Sequence, residues 1–182
     1  MRIVYHTSNN TFQEGEKLVS VPSKALFTIL SVPQAFRLNH PTLSVHGVLA
    51  SYLAFDDEAA STYEPWRATW PSSKDLQESM PIHWPRKCHD ALAPGVKSVL
   101  LEEQATRFDK DWNFVASAFP EAQKSLYLYH WLIVNTRSFY FELSDRISCD
   151  SVNDRMVLCP FADYFNHSDQ GVSQKEIFLR SS

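Results

Sequence analysis

Cys159-Pro160-Phe161-Ala162-Asp163-Tyr164-Phe165-Asn166-His167-Ser168 is the stretch on which the reading of this chain turns. It sets three aromatic rings beside an Asp and an Asn-His-Ser triplet. Such a mix seldom serves burial alone, because Asn, His and Asp each need a hydrogen-bond partner once they leave water. Immediately upstream, Arg155 to Leu158 forms a short β candidate that leads into it.

Around this stretch, composition sets bounds. A chain of 182 residues suffices for one domain, or for a domain with an insertion. Apolar residues make up 44% and aromatics 13%, enough for a sizeable core and against wholesale disorder. The net charge is -4 with no basic stripe, so no nucleic-acid footprint is expected, and at most a slight leaning towards basic peptides. The cysteines, Cys88, Cys149 and Cys159, are odd in number and widely spaced. That argues against a disulfide framework and for a reducing compartment. Cys88-His89 lacks a second ligand pair at finger-like spacing, so no metal is expected. Neither a signal peptide nor an apolar run near the ~20 residues of a membrane span is visible, which predicts a soluble intracellular protein. Only Gly15, Gly47, Gly95 and Gly171 occur, and no Gly-rich phosphate loop can be built from them.

Along the chain, Gln13-Glu14-Gly15-Glu16 reads as a turn, followed by an alternating strand from Lys17 to Val21 that Pro22 stops. Ala25 to Ile29 fits strand or helix equally. Residues 41–55 turn helical, with Leu43, Val48, Leu49, Tyr52 and Leu53 on one face, and Asp56-Asp57-Glu58 begins a polar loop. Residues 63–95, rich in Trp and Pro, predict a stiff connector with short helices, one starting at Ser72-Ser73-Lys74-Asp75. Two long helices follow. Val96, Leu100, Phe108, Trp112, Val115 and Phe119 mark the first. Pro120 offers a first-turn proline for the second, carried by Leu126, Tyr129, Ile133 and Val134. The two predict an αα-hairpin.

Three pieces recur in one order: Gly15-Glu16 with Leu18 and Val21-Pro22; Trp131 with Asn135-Thr136-Arg137-Ser138-Phe139; and Pro160 to Ser168. Together they resemble the SET-domain protein lysine methyltransferases, in the branch of the Rubisco large-subunit methyltransferase, which carries a helical insertion. The resemblance spans roughly residues 13 to 170. It implies an α+β fold: a partial SET domain of short β-strands with a helical insertion. Residues 1–60 would be the N-terminal part of that domain, 61–135 the connector and insertion, and 136–182 the C-terminal motif region.

The family transfers a methyl group from S-adenosylmethionine to a lysine amine. Asn166 and His167 match positions that bind the cofactor, whose zwitterionic, adenine-bearing form needs several fixed donors and acceptors. Arg137, Phe139 and Asp163 match positions lining the lysine channel, where an aromatic wall suits the aliphatic stem and methylammonium. Taken singly, Asn166 and His167 also read as closing a loop, Arg137 as a helix C-terminal cation and Phe139 as core packing. The sulfonium is already a good leaving group, so positioning rather than acid-base machinery is expected. No catalytic residue is assigned, since the family's tyrosine-glycine pair after Asn-His-Ser has no counterpart up to Ser182. The chain is therefore expected to be a fragment. The partner implied is a lysine-containing protein, such as a histone, a ribosomal protein or a translation factor, in nucleus or cytoplasm. The alternative is a non-catalytic SET-like protein-binding module.

Overall fold

Ser44 fixes where the central helix begins. Its hydroxyl accepts from the Gly47 amide at 2.9 Å and caps helix α2, Val45–Phe55. Every residue of α2 from Gly47 to Leu53 is buried. Such a helix has no solvent face and must be covered on several sides. The computed structural model describes residues 20–140 and 155–160 of the protein. Within them, α1 (Gln34–Asn39) precedes α2. After it come α3 (Asp57–Thr62), α4 (Glu64–Arg67), α5 (Ser73–Ser79), α6 (Arg86–His89), α7 (Glu103–Ala118) and α8 (Lys124–Arg137). A π-helical segment, Val96–Glu102, runs directly into α7. Two three-residue strands, β1 (Ser138–Tyr140) and β2 (Met156–Leu158), pair antiparallel.

The expected α+β fold, a partial SET domain of short strands with a helical insertion, is corrected by this architecture. The described residues are mostly helical, and their strands reach only three residues each. Side-chain caps start three of these helices, α2, α3 and α5. Asp56 accepts from the Ala59 amide at 2.9 Å, so Asp56-Asp57-Glu58 starts α3 instead of a loop. Ser72 and Asp75 form a reciprocal capping box on α5, where a helix start is expected. Ala25 to Ile29 forms neither a continuous strand nor an α-helix, and Ala25 closes a 3-10 turn, Ser23–Ala25. Phe27 makes one β-bridge to Leu158, and a 3-10 turn follows at Ile29–Ser31. The expected strand from Lys17 to Val21 falls largely outside the described residues; Ser20 and Val21 lie in no regular element.

The second half differs in register. Leu101, Phe108, Asp111 and Val115 form the buried stripe of the π segment and α7, while Val96 and Leu100 stay exposed. Leu101 stands seven residues before Phe108, two helical turns on the same face. Pro120 lies in the turn before α8, whose N-cap is Gln123, so it is not a first-turn proline. Helix α8 packs along α2 and forms a hairpin with α7. It buries Tyr127 and the whole run from His130 to Val134.

Two polar locks hold this interior. Asp111 is 3% exposed and accepts from the Ser44 amide at 3.2 Å, the Ser44 hydroxyl at 2.7 Å and the Trp131 indole at 3.1 Å. A carboxylate at the start of α2 also meets the positive end of that helix. Gly47 permits the approach, because a β-carbon there would stand 2.9 Å from the Asp111 carboxyl carbon. The second lock is Arg67, which donates to the Leu53 carbonyl at 3.0 Å and meets His130 Nε2 at 3.1 Å. His130 Nδ1 faces the Leu126 carbonyl at 2.9 Å. A carbonyl only accepts, so Nδ1 carries the proton and Nε2 accepts from Arg67. Burial drives the His130 pKa down to about 4, and the Arg67 charge adds to this.

Candidate functional site at the strand ribbon

Helix α8 passes into β1 without a loop. In its last turns Asn135 Nδ2 donates to the Trp131 carbonyl and Thr136 Oγ1 to the Leu132 carbonyl, each at 2.8 Å. Ser138 then turns extended, with φ -84° and ψ 146°. Arg137 is thus the last helical residue and Phe139 the second residue beyond. Opposite them runs β2, with Ser138 facing Leu158, Phe139 facing Val157 and Tyr140 facing Met156.

β2 is the inner strand of this ribbon. Leu158 exchanges two backbone hydrogen bonds with Phe27, each 2.9 Å, while its other edge pairs with β1. Met156 and Leu158 belong to the helical core cluster, but Val157 between them does not. Side chains alternate across a strand, so Val157 and its cross-strand partner Phe139 occupy the face away from the helices. Phe139 is 38% exposed, while Val157 opposite it is covered, at 4%. Plain core packing therefore does not describe this ring. The chain leaves β2 through half-buried Cys159 and buried Pro160, at the level of the α8–β1 junction.

The structure places two of the five residues singled out in the sequence, Arg137 and Phe139, on adjoining positions of this junction. Asp163, Asn166 and His167 lie outside the described residues, as does Cys149. Arg137 is half-buried. Burial raises the pKa of the nearby Tyr129 phenol, and the charges of Arg67 and Arg137 pull it back. The Tyr129 hydroxyl donates to the Pro71 carbonyl at 2.9 Å, tying the start of α5 to α8 beneath the junction. Tyr140, exposed at the end of β1, is a further aromatic beside Phe139 that the motif reading did not single out. Its signal was its place next to the matched run.

Among the described residues, no group of three or more His, Cys, Asp or Glu gathers in a way that could hold a metal ion. None of the described helices is long and apolar enough to cross a membrane. Cys88 is a free thiol.

Comparison with known proteins gives one informative likeness. The chain is similar to SET domain-containing protein 4 of Homo sapiens, at 26% identity over 185 residues, taking in 88% of this chain. It spans 40% of that relative's length. No family model matches the chain. No solved structure matches it.

Proposed function

We propose that the chain is part of a protein-lysine N-methyltransferase that uses S-adenosylmethionine, in the insertion-bearing branch typified by the Rubisco large-subunit methyltransferase. The observation that carries this reading is the placement of Phe139. The motif reading needs an aromatic wall beside Arg137, and Phe139 stands half-open on the face of the ribbon turned from the core. The likeness to a SET-domain protein supports it from an independent side.

In this reading Asn166 and His167 bind the cofactor, which supplies an electrophilic methyl on a sulfonium. Phe139 flanks the aliphatic stem of the lysine, with Arg137 and Asp163 at the channel. The lysine nitrogen must arrive neutral and in line, so these residues act by orientation and exclusion of water. The substrate is a lysine-bearing protein.

Calorimetry of the 182-residue chain with S-adenosylmethionine tests the reading without requiring turnover. Saturable binding is expected, weakened about tenfold or more, ~1.4 kcal/mol, by Asn166→Ala or His167→Ala. Phe139→Ala is expected to leave it unchanged. No heat of binding up to millimolar cofactor would reject the reading, and peptide capture without cofactor binding would favour a non-catalytic module.

A further inference from the structure

Residues 81–100 carry apolar side chains that the core does not use. After the 3-10 turn Pro81–His83, helix α6 and its flanks form a shallow groove of about 610 Å³, lined by Trp84, Pro85, Lys87, Cys88, Ala91 and Leu92. Its walls are fixed in place. The Trp84 indole donates to the Glu78 carbonyl at 2.9 Å, and His89 Nε2 donates to the Pro81 carbonyl at 2.6 Å. The π-helical segment that follows adds exposed Val96, Val99 and Leu100. π turns cost hydrogen-bond geometry and recur at functional positions.

The charge around this groove runs against that of the whole chain. Residues 81–100 hold Arg86, Lys87 and Lys97 against the single carboxylate Asp90, in a protein of net charge -4. Asp90 is committed to Lys97 at 2.8 Å and also feels Arg86. No described carboxylate pairs with Lys87, which lines the groove. An apolar floor with an unpaired cation at its wall fits a ligand of apolar anchors flanked by carboxylates.

We propose that this groove docks an acidic amphipathic peptide segment of a partner protein. Its apolar residue seats between Trp84 and Leu92, and its carboxylates meet Lys87 and Arg86. A symmetric second copy of the chain would bring the cationic rim against itself. Three cations also fall short of the ~4–8 that mark an anionic membrane surface. The docking is independent of methyl transfer and of cofactor binding.

The test uses the 182-residue chain and a short fluorescein-labelled peptide with Leu at helical spacing and Glu elsewhere, followed by anisotropy. Saturable micromolar binding is expected, weaker at high salt and reduced about tenfold by either Leu92→Asp or Lys87→Glu. A second peptide with Lys in place of every Glu is expected to bind the K87E protein better than the parent. That gain separates charge recognition from a folding defect, and thermal melts check both variants. Absent binding, equal binding of the two peptides to the parent, or binding indifferent to both substitutions would each overturn the proposal. So would light scattering that shows a dimer abolished by L92D, since the groove would then belong to a second copy.

Discussion

The α2–α8 interior and the segment from Met80 to Glu102 both abound in apolar side chains, yet they meet opposite fates. In the first, seven consecutive residues of α2 are buried and five of α8. In the second, Val96, Val99 and Leu100 face water and only Leu101 is buried deeply. The interior has polar anchors that fix how its helices meet: Asp111 across Ser44 and Trp131, and Arg67 across Leu53 and His130. The outer segment has only short-range bonds of this kind, from Trp84 back to Glu78 at the end of α5 and from His89 to Pro81 within the segment. Apolar residues become core where something fixes the partner surface, and become a face for others where nothing does.

The sharpest way to break this contrast is to truncate one residue from each side. Trp131→Ala removes a ring 1% exposed and one donor to Asp111, and is expected to lower unfolding stability by about 3–5 kcal/mol. Leu100→Ala, at a position 62% exposed, is expected to stay within about 0.5 kcal/mol. Urea denaturation measures both, and similar losses at the two sites would erase the distinction.

Acid probes the second polar anchor. The His130 pKa lies near 4 in the fold against an ordinary 6.5, so the unfolded chain binds the proton more readily. Its stabilising contribution is complete above pH 6.5 and disappears as pH falls towards 4, a loss of about 3 kcal/mol. Burial also lowers the pKa of His40 and His83, which act in the same direction. Urea midpoints between pH 7 and 4.5 are expected to slope downwards, and His130→Gln to flatten that slope. An unchanged slope in the variant would show that the imidazole is not the titrating group.

A smaller loss than that of His130 concerns close approach. Gly47→Ala pushes a methyl against the Asp111 carboxylate at a strain of about 1–3 kcal/mol, offset by the ~1 kcal/mol that Ala gains over Gly inside a helix. A net loss near 1 kcal/mol is expected. A stabilised variant would mean that Asp111 moves freely, and that it does not lock α2 to α8.

Where local chemistry determines local structure, the sequence was legible. Ser72 with Asp75 gave a helix start, Arg155 to Leu158 gave β2, and Val48, Leu49, Tyr52 and Leu53 gave a helix, though burial of α2 runs all round it and not on one face. It misled where one signal serves two outcomes. Asp56-Asp57-Glu58 is equally loop and N-cap, and its position right after α2 made it a cap. Leu100 and Leu101 differ by one position, and only the packed face of α7 selects Leu101. The largest correction concerned class. Motifs near the ends suggested short strands, but they say nothing about the helices that fill the described chain. Of the residues expected at a site, Arg137 and Phe139 were picked out because they sit in a spaced pattern. The interior lock at His130 was not legible, because a histidine amid apolar helix residues shows no mark of its arginine partner sixty-three positions earlier.

Leu158 joins Phe27 on one edge and Ser138 on the other, so β2 draws together the two ends of the described chain. During synthesis the helices from α1 to α8 leave the ribosome before β2 does. Closing so long a loop costs entropy that local helix formation does not. The residues nearest the proposed chemistry are thus the last to be put in place, on a scaffold assembled ahead of them.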